Sequence, residues 1–184
     1  AKEHLRVLDD LDGVKIEVIA SRTLSKAQKL ASEHNIKKVV PVSEVFNHQV
    51  DGILVLVSAE HIFQITKDVL LQKIPVFMEK PPGLTPAQTE ELLDIATQYN
   101  VPNMVGFNRR HYSIFEKGKK IIHDHGRLLG LTIEGHERFW RLDRQNFSES
   151  VLRNWIYANS THTIDLLRYF GGNIHEITSF ASSQ

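Results

Sequence analysis

The chain has 184 residues, an apolar share of 41%, a charged share of 24% and no net charge, which is the composition of a globular domain. Zero net charge removes the electrostatic basis for non-specific binding to nucleic acid or to an anionic membrane. The absence of cysteine excludes disulfides, thiolate nucleophiles and cysteine-ligated zinc, and no apolar run approaches the ~20 residues that span a bilayer, so we expect a cytoplasmic protein.

Helical and strand patterns alternate through the first 107 residues. Helices are predicted at residues 1–11, 25–34, 61–72 and 85–100, and strands at 15–20, 52–57, 74–78 and 103–107, with a short apolar piece at 39–42. Ser25-x-x-Gln28 is typical of a capping box, and Thr85 with Pro86 is typical of a helix start. The aliphatic run 52–57 is typical of a central parallel strand covered on both faces. This alternation predicts right-handed crossovers and a doubly wound parallel sheet.

The pattern changes after residue 108, where we place a domain boundary. Helices are predicted at residues 115–123 and 161–170, strands at 129–137 and 174–180, and an irregular polar segment at 138–154. A nucleotide-binding unit begins with a strand and a glycine-rich turn, whereas this chain begins inside its first helix. We therefore expect a first strand and turn before residue 1, and more of the second domain after residue 184.

The strand 74–78 is followed directly by Lys80 in the sequence Val76-Phe77-Met78-Glu79-Lys80-Pro81-Pro82. Ligands of open α/β sheets bind outside the carboxyl ends of the strands. Lys80 is therefore placed to reach a bound small molecule, although a lysine on a solvated loop would give the same pattern.

Four segments, taken together in this order, resemble the glucose–fructose oxidoreductase and inositol dehydrogenase family, Gfo/Idh/MocA. They are Glu79-Lys80-Pro81, the helix from Thr85 to Asn100, Gly106-Phe107-Asn108-Arg109-Arg110, and His162-x-x-Asp165-Leu166-Leu167. The resemblance covers essentially the whole chain. It implies a Rossmann dinucleotide-binding domain at residues 1–107 and the start of a C-terminal α/β domain at 108–184, whose open sheet makes a homo-oligomer.

The resemblance also implies an NAD(P)-dependent oxidoreductase. Such an enzyme would transfer hydride between nicotinamide and a secondary alcohol or ketone of a sugar, cyclitol or nucleotide sugar. Lys80 would stabilise alkoxide charge and contact the nicotinamide ribose, and His162 would act as general base. Asp165 would orient His162 or bind a substrate hydroxyl, although a first-turn carboxylate is also favoured by the helix dipole. His162 as a merely packed helix residue remains the alternative.

Ser21 and Arg22 directly follow the predicted strand 15–20. An NAD-specific site places an acidic residue at the end of this strand. A hydroxyl and a guanidinium suit a 2′-phosphate, which favours NADP over NAD; an ordinary polar turn is the alternative. The other predicted contacts are to the cofactor from Ser58, Ala59, Glu79 and Asn108, and to the substrate from Arg109, Trp155 and Asn159. Pro81 matches a position where the family often has an unusual peptide bond. The histidines are scattered along the chain without a cluster of further ligands, so no metal site is predicted.

The chain departs from the family pattern before His162. Active members usually have an aspartate four residues before this histidine and a glycine between the two, whereas this chain has Ala158 and Ser160. The missing carboxylate leaves open a non-catalytic relative that binds a cofactor or sugar, or acts in regulation. A redox-neutral lyase or glycosidase that uses NAD transiently is a third alternative.

Overall fold

The fold, described for residues 1–180 by a computed structural model, alternates helices and parallel strands in its first 105 residues. The helices are α1 Lys2–Asp9, α2 Leu24–Glu33, α3 Ala59–Leu71, α4 Pro86–Tyr99, α5 Ser113–His125, α6 Glu149–Arg153 and α7 Thr161–Gly171. The strands are β1 Ile19–Ala20, β2 Val39–Val40, β3 Ile53–Val55, β4 Val76–Met78 and β5 Asn103–Val105. Short 3₁₀ helices span Val42–Asn47, Asn108–His111, Phe139–Arg141 and Arg144–Asn146, and a π-helical turn spans Ile156–Ser160.

All strand pairs among the described residues are parallel, which confirms the predicted α/β class. Strands β1 and β2 pair with each other, and β3, β4 and β5 form a second sheet in that order. The predicted strand 15–20 is shorter than expected because only its last two residues find partners in β2. Strand β3 pairs only with β4 within residues 1–180. Its Leu54 side chain is 41% exposed, so the strand is not covered on both faces as predicted.

The main apolar core lies between the three-stranded sheet and the helices α3 and α4. Its buried members are Val55, Ile62, Val69, Leu70, Val76, Met78, Leu92, Ala96 and Val101. A smaller cluster of Leu5, Ala31 and Ile36 packs α1 and α2 against β1 and β2. Burial of these aliphatic side chains fixes the strands in register.

One of the two predicted helix starts is confirmed. Thr85 caps α4, since its Oγ1 accepts a hydrogen bond from the Gln88 amide at 3.3 Å, while the Gln88 side chain accepts from the Leu84 amide at 2.7 Å. The capping box at Ser25 is wrong. Helix α2 begins one residue earlier, at Leu24, so that Ser25 lies inside its first turn.

The strands predicted at 129–137 and 174–180 are also wrong, because neither segment is paired with another described segment. A strand requires backbone partners as well as an alternating pattern. Leu131 and Ile133 instead line an apolar cavity together with side chains of α5 and α7, namely Phe115, Leu166 and Phe170. No helix within residues 1–180 is long and apolar enough to cross a membrane.

Candidate functional site

The carboxyl ends of β3, β4 and β5 lie at one edge of the sheet and form the floor of the candidate site. The Glu79 amide donates to the Val55 carbonyl at 3.0 Å, and the Gly106 amide donates to the Met78 carbonyl at 2.8 Å. A side chain at position 106 would meet the Phe77 ring at 3.0 Å and the Met78 carbonyl at 3.4 Å. Glycine therefore permits the close approach that brings residues 108–110 beside the end of β4.

Lys80 joins this edge to the turn before α7. Its Nζ donates to the Ala158 carbonyl at 2.9 Å, and the peptide bond between Lys80 and Pro81 is cis. Burial lowers the pKa of the Lys80 ammonium group, against an opposing effect from the Glu79 carboxylate. The half-buried ammonium is thus held in place by the backbone of the second part of the chain.

His162 lies in the first turn of α7, close enough to Lys80 for the two charges to interact. Burial, with the nearby charges of Lys80 and Arg109, lowers the pKa of His162 to about 4. Its Nδ1 is buried and has no hydrogen-bond partner among residues 1–180, and its ring packs edge-on against Phe107 at 6.2 Å between centroids. The imidazole is therefore neutral near pH 7, which is the form that can act as a general base.

Glu79 fixes the loop that carries Lys80. One carboxylate oxygen pairs with Nε2 of His4 at 2.7 Å, and the other accepts from the Lys80 amide at 3.3 Å. His4 was not predicted as a site residue. Its position in the first turn of α1 gives no local pattern that points to Glu79, which lies 75 residues further along the chain.

Asp165 forms a bidentate ion pair with Arg110. Arg110 Nε donates to Oδ2 of Asp165 at 2.7 Å, and the guanidinium also donates to the other carboxylate oxygen. The Asp165 side chain is 7% exposed. Any contact between Asp165 and a substrate hydroxyl would have to compete with this pair. Its predicted substrate role therefore stays a prediction, and Arg110 is identified as its partner.

Glu137 is a site residue that sequence reasoning missed. Its carboxylate accepts hydrogen bonds from Trp155 Nε1 at 2.8 Å, Asn159 Nδ2 at 2.6 Å and Ser160 Oγ at 2.9 Å. Trp155 and Asn159 were predicted to bind substrate, and the structure directs both side chains to this carboxylate. The signal available in the sequence was a single acidic residue at the end of a segment taken for a strand.

The predicted cofactor contacts occupy the ends of β1, β3 and β5. Ser21 forms a local turn, accepting from the Thr23 amide at 3.1 Å, and the neighbouring Arg22 is exposed. Ser58 is the residue that precedes α3, and Ala59 packs against the apolar cluster of Leu84, Val151 and Ala158. Asn108 is exposed at the end of β5. Their roles in binding a cofactor stay predictions.

The residues at this edge suit a small-molecule ligand. A half-buried ammonium group and an imidazole nitrogen without a partner converge beside the carboxyl ends of three parallel strands, the place where open α/β sheets bind ligands. Within the described residues, no three His, Asp or Glu side chains are grouped as metal ligands.

A family model and several known proteins match this chain. The profile of the oxidoreductase family with an NAD-binding Rossmann fold matches residues 1–107. A trans-1,2-dihydrobenzene-1,2-diol dehydrogenase from Xenopus tropicalis is 30% identical over 112 residues, which is 59% of this chain and 33% of that protein. The chain therefore spans about a third of the length of this relative.

Solved structures show the same fold over most of the chain. A scyllo-inositol dehydrogenase from Lactobacillus casei with bound NAD(H) and scyllo-inositol matches with a TM-score of 0.75 and 21% identity, covering 92% of this chain and 52% of that one. An oxidoreductase from Agrobacterium radiobacter in complex with NAD+, L-tartaric acid and magnesium matches with a TM-score of 0.74 and 16% identity, covering 94% and 52%. The chain belongs to the Gfo/Idh/MocA family of oxidoreductases, and its parallel α/β part has the NAD-binding Rossmann fold.

Proposed function

We propose that the protein is an NAD(P)-dependent oxidoreductase that interconverts a secondary alcohol and a ketone on a sugar, cyclitol or nucleotide sugar. The observation that carries this proposal is the convergence of Lys80 and His162 on one side of the sheet edge. Residues 1–107 would hold the cofactor, and residues from 108 onward would provide the substrate side and the oligomer interface.

The two side chains have complementary chemical properties in this reaction. A nicotinamide bound at the sheet edge supplies the acceptor or donor of hydride. As the alcohol carbon loses its hydride, with two electrons, the hydroxyl loses its proton. His162 is neutral above about pH 4 and can take that proton. Lys80 stabilises negative charge on the oxygen, and ketone reduction reverses each transfer.

Ser21 and Arg22 favour NADP within this proposal. Arg22 is exposed at the end of β1, where a guanidinium can pair with a 2′-phosphate through charge-assisted hydrogen bonds. No acidic side chain occupies positions 21 or 22 to bind the ribose hydroxyls of NAD. NAD remains the alternative cofactor.

The test is a titration of the protein with NADPH and with NADH, followed by nicotinamide fluorescence. We expect binding with a preference for NADPH, and we expect Arg22→Ala to weaken NADPH binding by about tenfold, roughly 1.4 kcal/mol, with little effect on NADH. Arg127→Ala, which removes another exposed arginine, is the control. Failure of both cofactors to bind would contradict the oxidoreductase proposal.

A non-catalytic cofactor- or sugar-binding relative is the second candidate. The observation that favours it is Ala158, which is 8% exposed and packs with Leu84 and Val151 where the family usually has an aspartate. This candidate predicts cofactor or sugar binding without turnover. A screen of sugars and cyclitols for NAD(P)H formation separates it from the oxidoreductase.

A further inference from the structure

The carboxylate of Glu137 is the most strongly hydrogen-bonded acidic group near Lys80. It is half-buried on the extended segment before α6, and three side-chain donors bind it at 2.6–2.9 Å. Trp155 and Asn159 donate to one oxygen, and Ser160 donates to the other. Hydrogen bonds to an ionised carboxylate are stronger than neutral ones, so this side chain is fixed in place.

The same turn holds Glu137 and Lys80. Asn159 and Ser160 directly follow Ala158, whose backbone carbonyl accepts the hydrogen bond from Lys80 at 2.9 Å. The Ala158 side chain packs into an apolar cluster. Position 158 therefore contributes only its carbonyl to Lys80, and the two residues after it fix a carboxylate that comes from elsewhere in the chain.

We propose that Glu137 is the positioning residue for Lys80, holding a negative charge beside the ammonium group and fixing the turn whose carbonyl binds it. This inference deepens the proposed function and rests on it, because Lys80 is the group that would stabilise charge on the substrate oxygen. Glu137 acts through Lys80 and is assigned no contact with substrate.

The charges around Lys80 are consistent with this role. Burial lowers the pKa of Lys80, the carboxylates of Glu79 and Glu137 raise it, and Arg109 lowers it. His162 also faces the ammonium group but is neutral above about pH 4. Glu79 is itself bonded to His4 at 2.7 Å, whereas two of the three donors to Glu137, Asn159 and Ser160, directly follow the residue whose carbonyl binds Lys80.

Glu137 is ionised at neutral pH. Burial raises the pKa of its carboxyl group, but the hydrogen bonds from Asn159, Trp155 and Ser160, together with the charge of Lys80, outweigh burial and hold the pKa below its usual value. Its negative charge is thus retained throughout the pH range in which Lys80 titrates.

The substitution Glu137→Gln removes this charge while it preserves the hydrogen bonds. The glutamine oxygen can accept from Trp155 and Asn159, and its amide group can donate to the Ser160 hydroxyl, which accepts as readily as it donates. Glu134→Gln is the matched control, because Glu134 lies on the same extended segment and its side chain is 76% exposed. Equal unfolding midpoints for the variants would show that both retain the fold.

The direct test is the titration of Lys80, followed by NMR in protein labelled at lysine Cε and assigned with Lys80→Arg. We expect the midpoint of Lys80 to move to lower pH in Glu137→Gln, because a favourable charge is lost, and to stay in place in Glu134→Gln. An unchanged midpoint in Glu137→Gln would overturn the inference, whether or not the protein oxidises sugars.

The kinetic consequence is a shift in the pH profile. If Lys80 must be protonated, the alkaline limb of kcat moves to lower pH in Glu137→Gln, and kcat on that limb falls on the order of tenfold, with a smaller change in KM. Glu134→Gln should follow the wild-type profile. A shifted Lys80 midpoint without any cofactor-dependent turnover would contradict the proposed function and leave the coupling of Glu137 to Lys80 supported.

Discussion

The two parts of the chain reach their structure by different means. Residues 1–107 are organised by parallel strand pairs and an aliphatic core between the sheet and α3 and α4. Residues 108–180 contain no strand. Apolar side chains of α5 and α7 lie beside Leu131 and Ile133, and polar contacts join Arg110 to Asp165 and Glu137 to the turn before α7. Apolar packing thus places the strand ends that form the floor of the candidate site, whereas hydrogen bonds place the part of the site that residues 108–180 contribute.

The largest expected effect is on the lysine that joins the two parts. Lys80→Met removes the ammonium group from the Ala158 carbonyl, and we expect kcat for the proposed reaction to fall by about 10³-fold because charge on the substrate oxygen is no longer stabilised. Steady-state kinetics measure the loss. Lys117→Met, at an exposed position on α5, is the control, and equal activity of the two variants would contradict the role of Lys80.

The apolar organisation of the first part is tested by two adjacent leucines of α3. Leu70 is 1% exposed and Leu71 is 45% exposed. Leu70→Ala should lower the free energy of unfolding by about 3 kcal/mol, since it leaves a cavity in the main core, whereas Leu71→Ala should change it by less than about 0.5 kcal/mol. Denaturant unfolding measures both. Similar losses would mean that packing against the sheet does not dominate this part.

The polar organisation of the second part is tested at the ion pair of Arg110 and Asp165. Asp165→Asn leaves the guanidinium without its charged partner, and we expect a loss of about 2 kcal/mol of stability, less than for a fully buried pair because Arg110 is 38% exposed. Asp124→Asn breaks the exposed pair with Lys120 on α5 and should cost about 0.3–0.5 kcal/mol. If Asp165→Asn lost no more stability than Asp124→Asn, polar contacts would not be what organises residues 108–180.

Most of the first part could be predicted from the sequence because its signals are local. The aliphatic run 52–57 and the Thr85-Pro86 helix start each specify an element within a few residues, and the carboxyl end of β4 places Lys80. The 129–137 segment shows the limit of that reasoning. Alternation predicted a strand there, but a strand depends on a partner that no local pattern identifies.

The sequence predicts which residues form the site better than it predicts their contacts. Lys80 and His162 follow from the family resemblance, but the pairs of His4 with Glu79 and Glu137 with Trp155 join residues 75 and 18 positions apart. Such pairs depend on how the segments fold together, and a single sequence carries no signal for them. Ala158 and Ser160, noted as departures from the family, flank Asn159, and Asn159 and Ser160 both donate to Glu137.

The smallest expected effect concerns acid stability at the point where the two parts meet. The unfolded chain protonates His162 below its ordinary pKa of 6.5, whereas burial and the charges of Lys80 and Arg109 lower the pKa in the folded protein to about 4. Between these values the unfolded state binds more protons, so the free energy of unfolding falls as the pH decreases from 6.5 to 4. The loss is on the order of 1 kcal/mol because the ring is partly solvated.

His162→Gln should remove this part of the pH dependence, and His175→Gln, at an exposed position, should leave it intact. Denaturant unfolding at pH 7, 5.5 and 4 in parallel samples measures the difference between the variants, in which the shared carboxylates cancel. A wild-type decline in His162→Gln would mean that the imidazole is not kept neutral by its surroundings. His162 would then make no contribution to acid stability, while the packing of residues 1–107 would be unaffected.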